Sequence, residues 1–201
     1  MDKMTMLDPT YWVFDLDGTL TVPVHDFDAI RSRLGLEEGC DILAALSKMS
    51  ETQALPLLKE LELIEIELAK KALPSPGAVA LLAELHQRNC ELGILTRNNK
   101  KNALFSLEAL GVGSYFSEDC VLGREDVAPK PSPDGILKLS AYWNTTPVNV
   151  MMVGDYLYDL QAGRNAGATT VHVDQTGVFP WPEWMDIGVN SLQKLHQGLC
   201  S

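Results

Sequence analysis

Positive charge is scarce in this 201-residue chain: 16 Lys and Arg stand against 27 Asp and Glu, for a formal net charge of -11. A nucleic-acid backbone needs a basic footprint, so this balance argues against nucleic acid as a partner. A phosphorylated small molecule is still allowed, because one bound cation reverses the field locally. Cysteine is sparse too. Cys40, Cys90, Cys120 and Cys200 are scattered, and no two stand at metal-ligand or redox-motif spacing. Reduced thiols in a cytoplasmic protein are the expectation. No apolar run approaches membrane-spanning length. The acidic, polar N-terminus shows no apolar segment ahead of a cleavage site. Internal repeats and low-complexity stretches are missing. What is left is an ordinary globular composition, in a chain long enough for one sizeable core plus an insertion or for two small domains.

The chain is organised around Tyr11-Trp-Val-Phe-Asp-Leu-Asp-Gly-Thr-Leu20. Four apolar residues read as a buried strand. Two carboxylates one residue apart, Asp15 and Asp17, end it, and Gly18 breaks it. Side chains i and i+2 of an extended chain point the same way. Like charges held that close destabilise each other unless a cation or a reaction needs them. In open α/β sheets the ligand crevice lies at the carboxyl ends of the strands, where this pair would sit. A strand ending in a polar turn is the alternative reading of the same residues.

Residues 21–27 leave the strand as a loop, in which His25 reads as a loop histidine, with substrate contact the alternative. Residues 28–73 read as helices only. Ala29, Ile30 and Leu34 mark a short one ending at Gly35, and Ile42, Leu43 and Leu46 a second. Leu57, Leu61, Ile64 and Leu68 form one stripe of a third, which reads as packing. Pro56 leaves the start of that helix unplaced. Pro74-Ser75-Pro76-Gly77 looks like a return linker, with Ser75 capping the next helix. From there strands and helices alternate. Strands are predicted at 91–95, 120–122, 148–153 and 169–173. A helix stops at Gly111, another opens at Ser132-Pro133, and a third ends at Gly167. This alternation predicts an α/β fold: a Rossmann-like parallel sheet with helices on both faces, plus a small all-helical cap inserted after the first strand. The expected division is a core of residues 1–22 and 75–201 and a cap of residues 23–74. The aromatic loop 177–184 is expected against the sheet rim, with an oligomer contact or a pocket edge as alternatives.

The stretch Phe14-Asp15-Leu16-Asp17-Gly18-Thr19-Leu20 resembles the first signature of the haloacid dehalogenase-like hydrolase superfamily. Leu95-Thr96-Arg97-Asn98, then Lys130-Pro131-Ser132-Pro133, then Gly154-Asp155-Tyr156-Leu157-Tyr158-Asp159 match its other signatures in order. Taken singly each has a structural reading: a strand end and helix cap at Thr96–Asn98, a surface lysine before a turn at Lys130, cap residues at Asp155 and Asp159. Four in order, each at a strand end or in the loop after one, make a strong signal together.

The resemblance implies a phosphoryl-transfer site. Asp15 would be the nucleophile, forming an aspartyl-phosphate. Asp17 would protonate the leaving oxygen and then deprotonate water. Asp15, the backbone carbonyl of Asp17, and Asp155 would hold Mg2+, with Asp159 as an auxiliary metal residue. Thr96 and the amides near Arg97 and Asn98 would bind phosphoryl oxygens, and Lys130 would neutralise charge. Arg97 is open between substrate contact and solvent. The second carboxylate, Asp17, distinguishes the phosphoryl-transfer branches from the dehalogenases. The position of the insertion resembles the helical-cap subgroup, which includes phosphoglycolate phosphatases and β-phosphoglucomutases. Thr21-Val22-Pro23 departs from the Asp-Ser that many relatives carry there. The expected function is a Mg2+-dependent phosphatase of a small phosphorylated metabolite, phosphoglycolate-like or a sugar phosphate. A sugar-phosphate mutase and a non-catalytic phosphate-ligand binding protein are the alternatives.

Overall fold

The computed structural model describes residues 10–22 and 27–199. His25, Cys200 and the first nine residues lie outside the described part, as do the side chains of Phe27 and Leu43. Strands β1 (Tyr11–Phe14), β2 (Glu91–Leu95), β3 (Val121–Leu122), β4 (Val150–Gly154), β5 (Thr169–Val173) and β6 (Ile187–Val189) form one sheet. Its order is β3-β2-β1-β4-β5-β6, and every pairing is parallel.

The apolar run that opens the chain explains its central place. A strand buried on both faces has no room for polar residues. Trp12, Val13 and Phe14 are all fully buried. Trp12 and Phe14 point to one face and meet α4 (Ala78–Gln87), α5 (Lys100–Ala109) and α8 (Leu192–Leu199) through Leu81, Leu85, Leu107 and Leu195. Val13 points to the other face. There it joins Leu95, Met152, Ile136 and Leu139, under α6 (Asp134–Tyr142) and α7 (Leu157–Ala166).

Strand order reverses direction at β1. From β1 the chain builds outward to β2 and β3, then returns to lay β4, β5 and β6 on the other side. Loops leaving β1 and β4 therefore part in opposite directions and open a crevice between them, the switch point where ligands bind in such sheets. Asp15 and Asp155 stand at its two lips.

Between β1 and α4 lie α1 (Phe27–Arg33), α2 (Ile42–Ser47) and α3 (Glu51–Lys70). They pack around a cluster of their own, Ile30, Leu34, Leu46, Leu61 and Ile64, with Leu57 and Leu68 of the expected stripe against it. Pro56 is the sixth residue of α3, and the helix continues through it. A proline in that place removes the hydrogen bond that the Thr52 carbonyl would have received, and its ring crowds that carbonyl. The two linkers to the sheet pair with each other: Val22 N–H donates to Leu73 O at 2.9 Å and Ser75 N–H to Leu20 O at 2.9 Å.

Three local expectations are corrected. Ser75 does not cap α4. Its hydroxyl is buried with no hydrogen-bond partner, the chain is committed to the linker ribbon at that point, and Gly77 takes the cap position. The strand expected at 148–153 begins at Val150, because Pro147–Asn149 forms a 3-10 turn with proline in its first turn. Similarly, Cys120 closes a 3-10 turn and leaves β3 two residues long.

Candidate active site

Each of the four signatures ends a strand or follows one, so the sheet brings them to one edge. Asp15 follows β1 and is 7% exposed. Leu16 turns into the core, and Asp17 returns to the crevice side, half-buried. Gly18 holds φ at +93°, and a Cβ there would stand 2.6 Å from Asp155 Oδ2. Only glycine permits both that backbone angle and that approach. Thr19 Oγ1 then donates to Asp155 Oδ1 at 2.7 Å and lies 3.4 Å from Asp15 Oδ2.

Thr96 follows β2 and is buried. Its Oγ1 accepts the Asn98 N–H at 3.0 Å, which leaves the hydroxyl hydrogen to donate elsewhere. Asn98 Nδ2 reaches Asp17 Oδ2 at 3.4 Å. The Arg97 guanidinium lies over the Tyr158 ring, 5.2 Å from its centroid, and both residues line the cavity.

Lys130 is buried to 4% exposure, which disposes of its reading as a surface lysine. Its Nζ is 2.5 Å from Asp15 Oδ1 and 2.5 Å from Asp159 Oδ1. Burial of an ammonium lowers its pKa, but here the two carboxylates outweigh burial and hold it well above the ordinary lysine range.

Asp155 follows β4, and Asp159 lies in the first turn of α7. A Cβ on Gly154 would fall 2.2 Å from Asp159 Cβ, so a glycine there lets that helix start press against the strand end. Asp159 Oδ2 accepts the Tyr156 N–H at 3.0 Å while its other oxygen takes Lys130.

Oxygens from Asp15, Asp155 and Asp159 lie within 4.8 Å of one another. Three carboxylates face one ammonium, so negative charge is in excess. The carboxyl groups respond to it. Burial first, then the charge of Asp15, pushes Asp155 up from an ordinary 3.8 to about 6. Asp159 rises to about 7, chiefly through burial, which Lys130 only partly offsets. Hard oxygen donors at this spacing, with uncompensated negative charge, fit a divalent cation such as Mg2+. The carboxylate of Asp17 is not part of this triad, so the role that the resemblance implies for Asp17 at the metal rests on its backbone carbonyl.

A cavity of about 520 Å³ covers these groups. Ile30, Arg31, Ile42, Leu61 and Glu65 of the helical insertion form its far wall, and Arg124, Tyr156 and Tyr158 stand at its side. The aromatic loop does pack at the sheet rim. Phe179 and Trp181 flank His172, and Trp181 also meets Tyr156, with ring centroids 5.2 Å apart.

A haloacid dehalogenase-like hydrolase family model matches residues 12–167. The chain belongs to that family. A haloacid dehalogenase-like hydrolase domain-containing protein of Arabidopsis thaliana is 36% identical, over 90% of this chain and 76% of its own length. A protein of Dickeya dadantii named a probable phosphatase is 31% identical over 80% and 79%. The β-phosphoglucomutase of Clostridium difficile superposes with a TM-score of 0.76 over 93% of each chain. At 20% identity that likeness is one of fold alone.

Sequence reasoning did not single out Thr19, Glu65, Asn102 or Arg124. Thr19 was within reach, since it stands inside the first signature. Glu65, Asn102 and Arg124 come from α3, α5 and the loop after β3. Nothing in their local sequence marks them, and only packing of the insertion on the core brings them together.

Proposed function

We propose that the chain is a Mg2+-dependent phosphatase of a small phosphorylated metabolite, working through an aspartyl-phosphate on Asp15. The observation that carries this reading is the pairing of Lys130 with both Asp15 and Asp159 at the sheet's switch point, beside Asp155. Hydrolysis of a phosphate monoester asks for over ~20 kcal/mol of barrier lowering. A carboxylate attacking an anion is repelled unless cations intervene. Asp15, Asp155 and Asp159, with the Asp17 carbonyl, would hold Mg2+, which offsets charge between nucleophile and phosphoryl group.

In the first half-reaction an Asp15 carboxylate oxygen bonds to phosphorus and the ester P–O bond breaks. Asp17 gives its proton to the departing alkoxide. In the second, Asp17 takes a proton from water, the water oxygen bonds to phosphorus, and the acyl-phosphate bond to Asp15 breaks. Inorganic phosphate leaves. The Thr96 hydroxyl hydrogen is available to a phosphoryl oxygen, as are the backbone amides near Arg97 and Asn98. Lys130 stays charged throughout, because the carboxylates around it raise its pKa.

The helical insertion, residues 23–74, acts in this reading as a cap over a core of 1–22 and 75–201. Its apolar and arginine side chains in the far wall exclude water and select the leaving group. A broad panel of phosphate esters, assayed for free phosphate with Mg2+ and with chelator, tests the proposal. Turnover that persists in chelator overturns the metal-dependent reading. Isomer formation without phosphate release points to a mutase, and no turnover on any ester points to a binding protein.

A further inference from the structure

Glu65 faces the cavity from α3, its side chain 14% exposed, yet the two half-reactions do not use it. Its Oε2 lies 3.2 Å from Asn102 Nδ2, 3.4 Å from Asn99 Nδ2 and 3.4 Å from Arg124 Nη2. All three donors belong to the core, while Glu65 belongs to the helical insertion.

Asn102 is fully buried. Its amide nitrogen donates in two directions, to Glu65 Oε2 and to Asn98 Oδ1, the latter also at 3.2 Å. Its own Oδ1 is left without a hydrogen-bond partner. Two acceptors dictate that orientation. Flipping the amide would turn its oxygen toward the Glu65 carboxylate and the Asn98 oxygen, a repulsive arrangement. Asn98 is fixed in the same way. Its Oδ1 takes the Asn99 N–H at 2.8 Å as well as Asn102, so its Nδ2 is the end presented to Asp17.

We propose that Glu65 is a positioning residue for Asp17, acting through Asn102 and Asn98, so that the proton-transfer carboxylate is aimed best when the helical insertion is seated on the core. The inference rests on Asp17 serving as general acid. With the insertion displaced, Asn102 loses one of the two acceptors that fix its amide and flips more readily. A flip removes one of the two donors to the Asn98 oxygen and leaves the Asn99 N–H, so the Asn98 amide steers Asp17 less firmly. Water-excluding closure and readiness of the acid are thereby tied to one contact.

The test compares an alkyl phosphate with p-nitrophenyl phosphate, which needs little leaving-group protonation. Relative to the wild-type chain, Glu65→Ala should lower kcat/KM on the alkyl ester about tenfold more than on the aryl ester, a fraction of the ~10²–10⁴ that general-acid catalysis supplies. Asn102→Ala should shift the ester ratio in the same direction, from the core side. Glu65→Gln keeps an oxygen for Asn102 and should keep the wild-type ratio. Equal losses on both esters in Glu65→Ala, or the same ratio in Glu65→Ala and Glu65→Gln, overturn the proposal. Asp17→Asn separates the two levels. If Asp17→Asn discriminates between esters and Glu65→Ala does not, the relay alone is wrong. If Asp17→Asn does not discriminate, the acid role of Asp17 fails and the relay with it.

Discussion

The sheet and the helical insertion are held together by different means. In the sheet, Trp12, Val13, Phe14, Ile94, Val150, Met152 and Val153 are all 0% exposed. Among the described residues of the insertion the best-buried side chains, Leu46, Leu34 and Leu61, retain 2%, 4% and 5%, and α3 leaves Leu55, Leu58 and Leu63 exposed. Its contact with α5 and the α5 N-cap includes polar pairs: Glu65 with Asn99 and Asn102, Glu62 with Lys101, and Lys70 over the Phe105 ring. Close-packed apolar interiors resist displacement, whereas polar contacts re-form in water at small cost. The acidic and basic groups of the site stand at the end of the close-packed sheet, and the far wall of the cavity stands on the insertion.

The largest test of that division lies at the sheet edge. Asp15→Asn should abolish turnover on alkyl and aryl esters alike, since no nucleophile remains. Steady-state phosphate release measures it, and residual activity near wild type would remove Asp15 from the chemistry.

Asp17→Asn should divide the two substrates. The alkyl ester loses roughly the full ~10²–10⁴ of acid catalysis, while p-nitrophenyl phosphate gives a burst of nitrophenol and then stalls. Rapid-quench trapping of phosphoenzyme on Asp15 checks it. Equal losses without a trapped species would leave Asp17 only a metal-positioning role.

Matched truncations compare the two cores directly. Leu81→Ala, at a fully buried position under the sheet, should cost about 2–5 kcal/mol in global denaturant unfolding. Leu61→Ala, in the smaller cluster, should fall at or below ~2 kcal/mol and shift substrate preference more than global stability. Reversed magnitudes would mean that the insertion is the structural anchor.

The smallest effect is in pH dependence, and it reads the acidic triad without activity. Asp155 and Asp159 have native pKa values of about 6 and about 7, above the ordinary 3.8. The native state therefore binds their protons more tightly than the unfolded chain does. Their stabilising contribution is complete below pH ~3.8 and is lost as pH rises through about 6 and about 7. Metal-free protein should lose this contribution by pH 7.5. In the proposed reading Mg2+ would bind the ionised triad, so added Mg2+ should raise Tm more at pH 7.5 than at pH 5. A Mg2+ shift that is larger at pH 5 would contradict the charge assignment.

Much of this architecture is legible in the order of residues. Tyr11 to Asp17 read as a buried strand ending in paired carboxylates, and β1 does end where Asp15 and Asp17 begin to line the cavity. β2 and β5 lie where the apolar runs put them, and Gly111 and Gly167 follow the helices they were expected to end. Val148 misleads, because an apolar residue after proline looks like a strand start, whereas the turn leaves it 68% exposed. Ser75 misleads because a cap signature says nothing of the ribbon that engages its backbone.

Local periodicity and residue chemistry are enough to set the alternation of strands and helices, the location of the four acidic and basic signatures, and their common place at strand ends. Each of these depends on neighbours within a few positions. Three further features depend on long-range packing: Lys130 bridges Asp15 and Asp159, Thr19 braces Asp155, and Glu65 is linked to Asp17 through two asparagines. Lys130 and Asp15 are 115 positions apart along the chain, and Thr19 and Asp155 are 136 apart. No local pattern reaches that far. Their meeting depends on strand order, on the direction in which each strand runs, and on how the insertion settles over the edge where all the strands end.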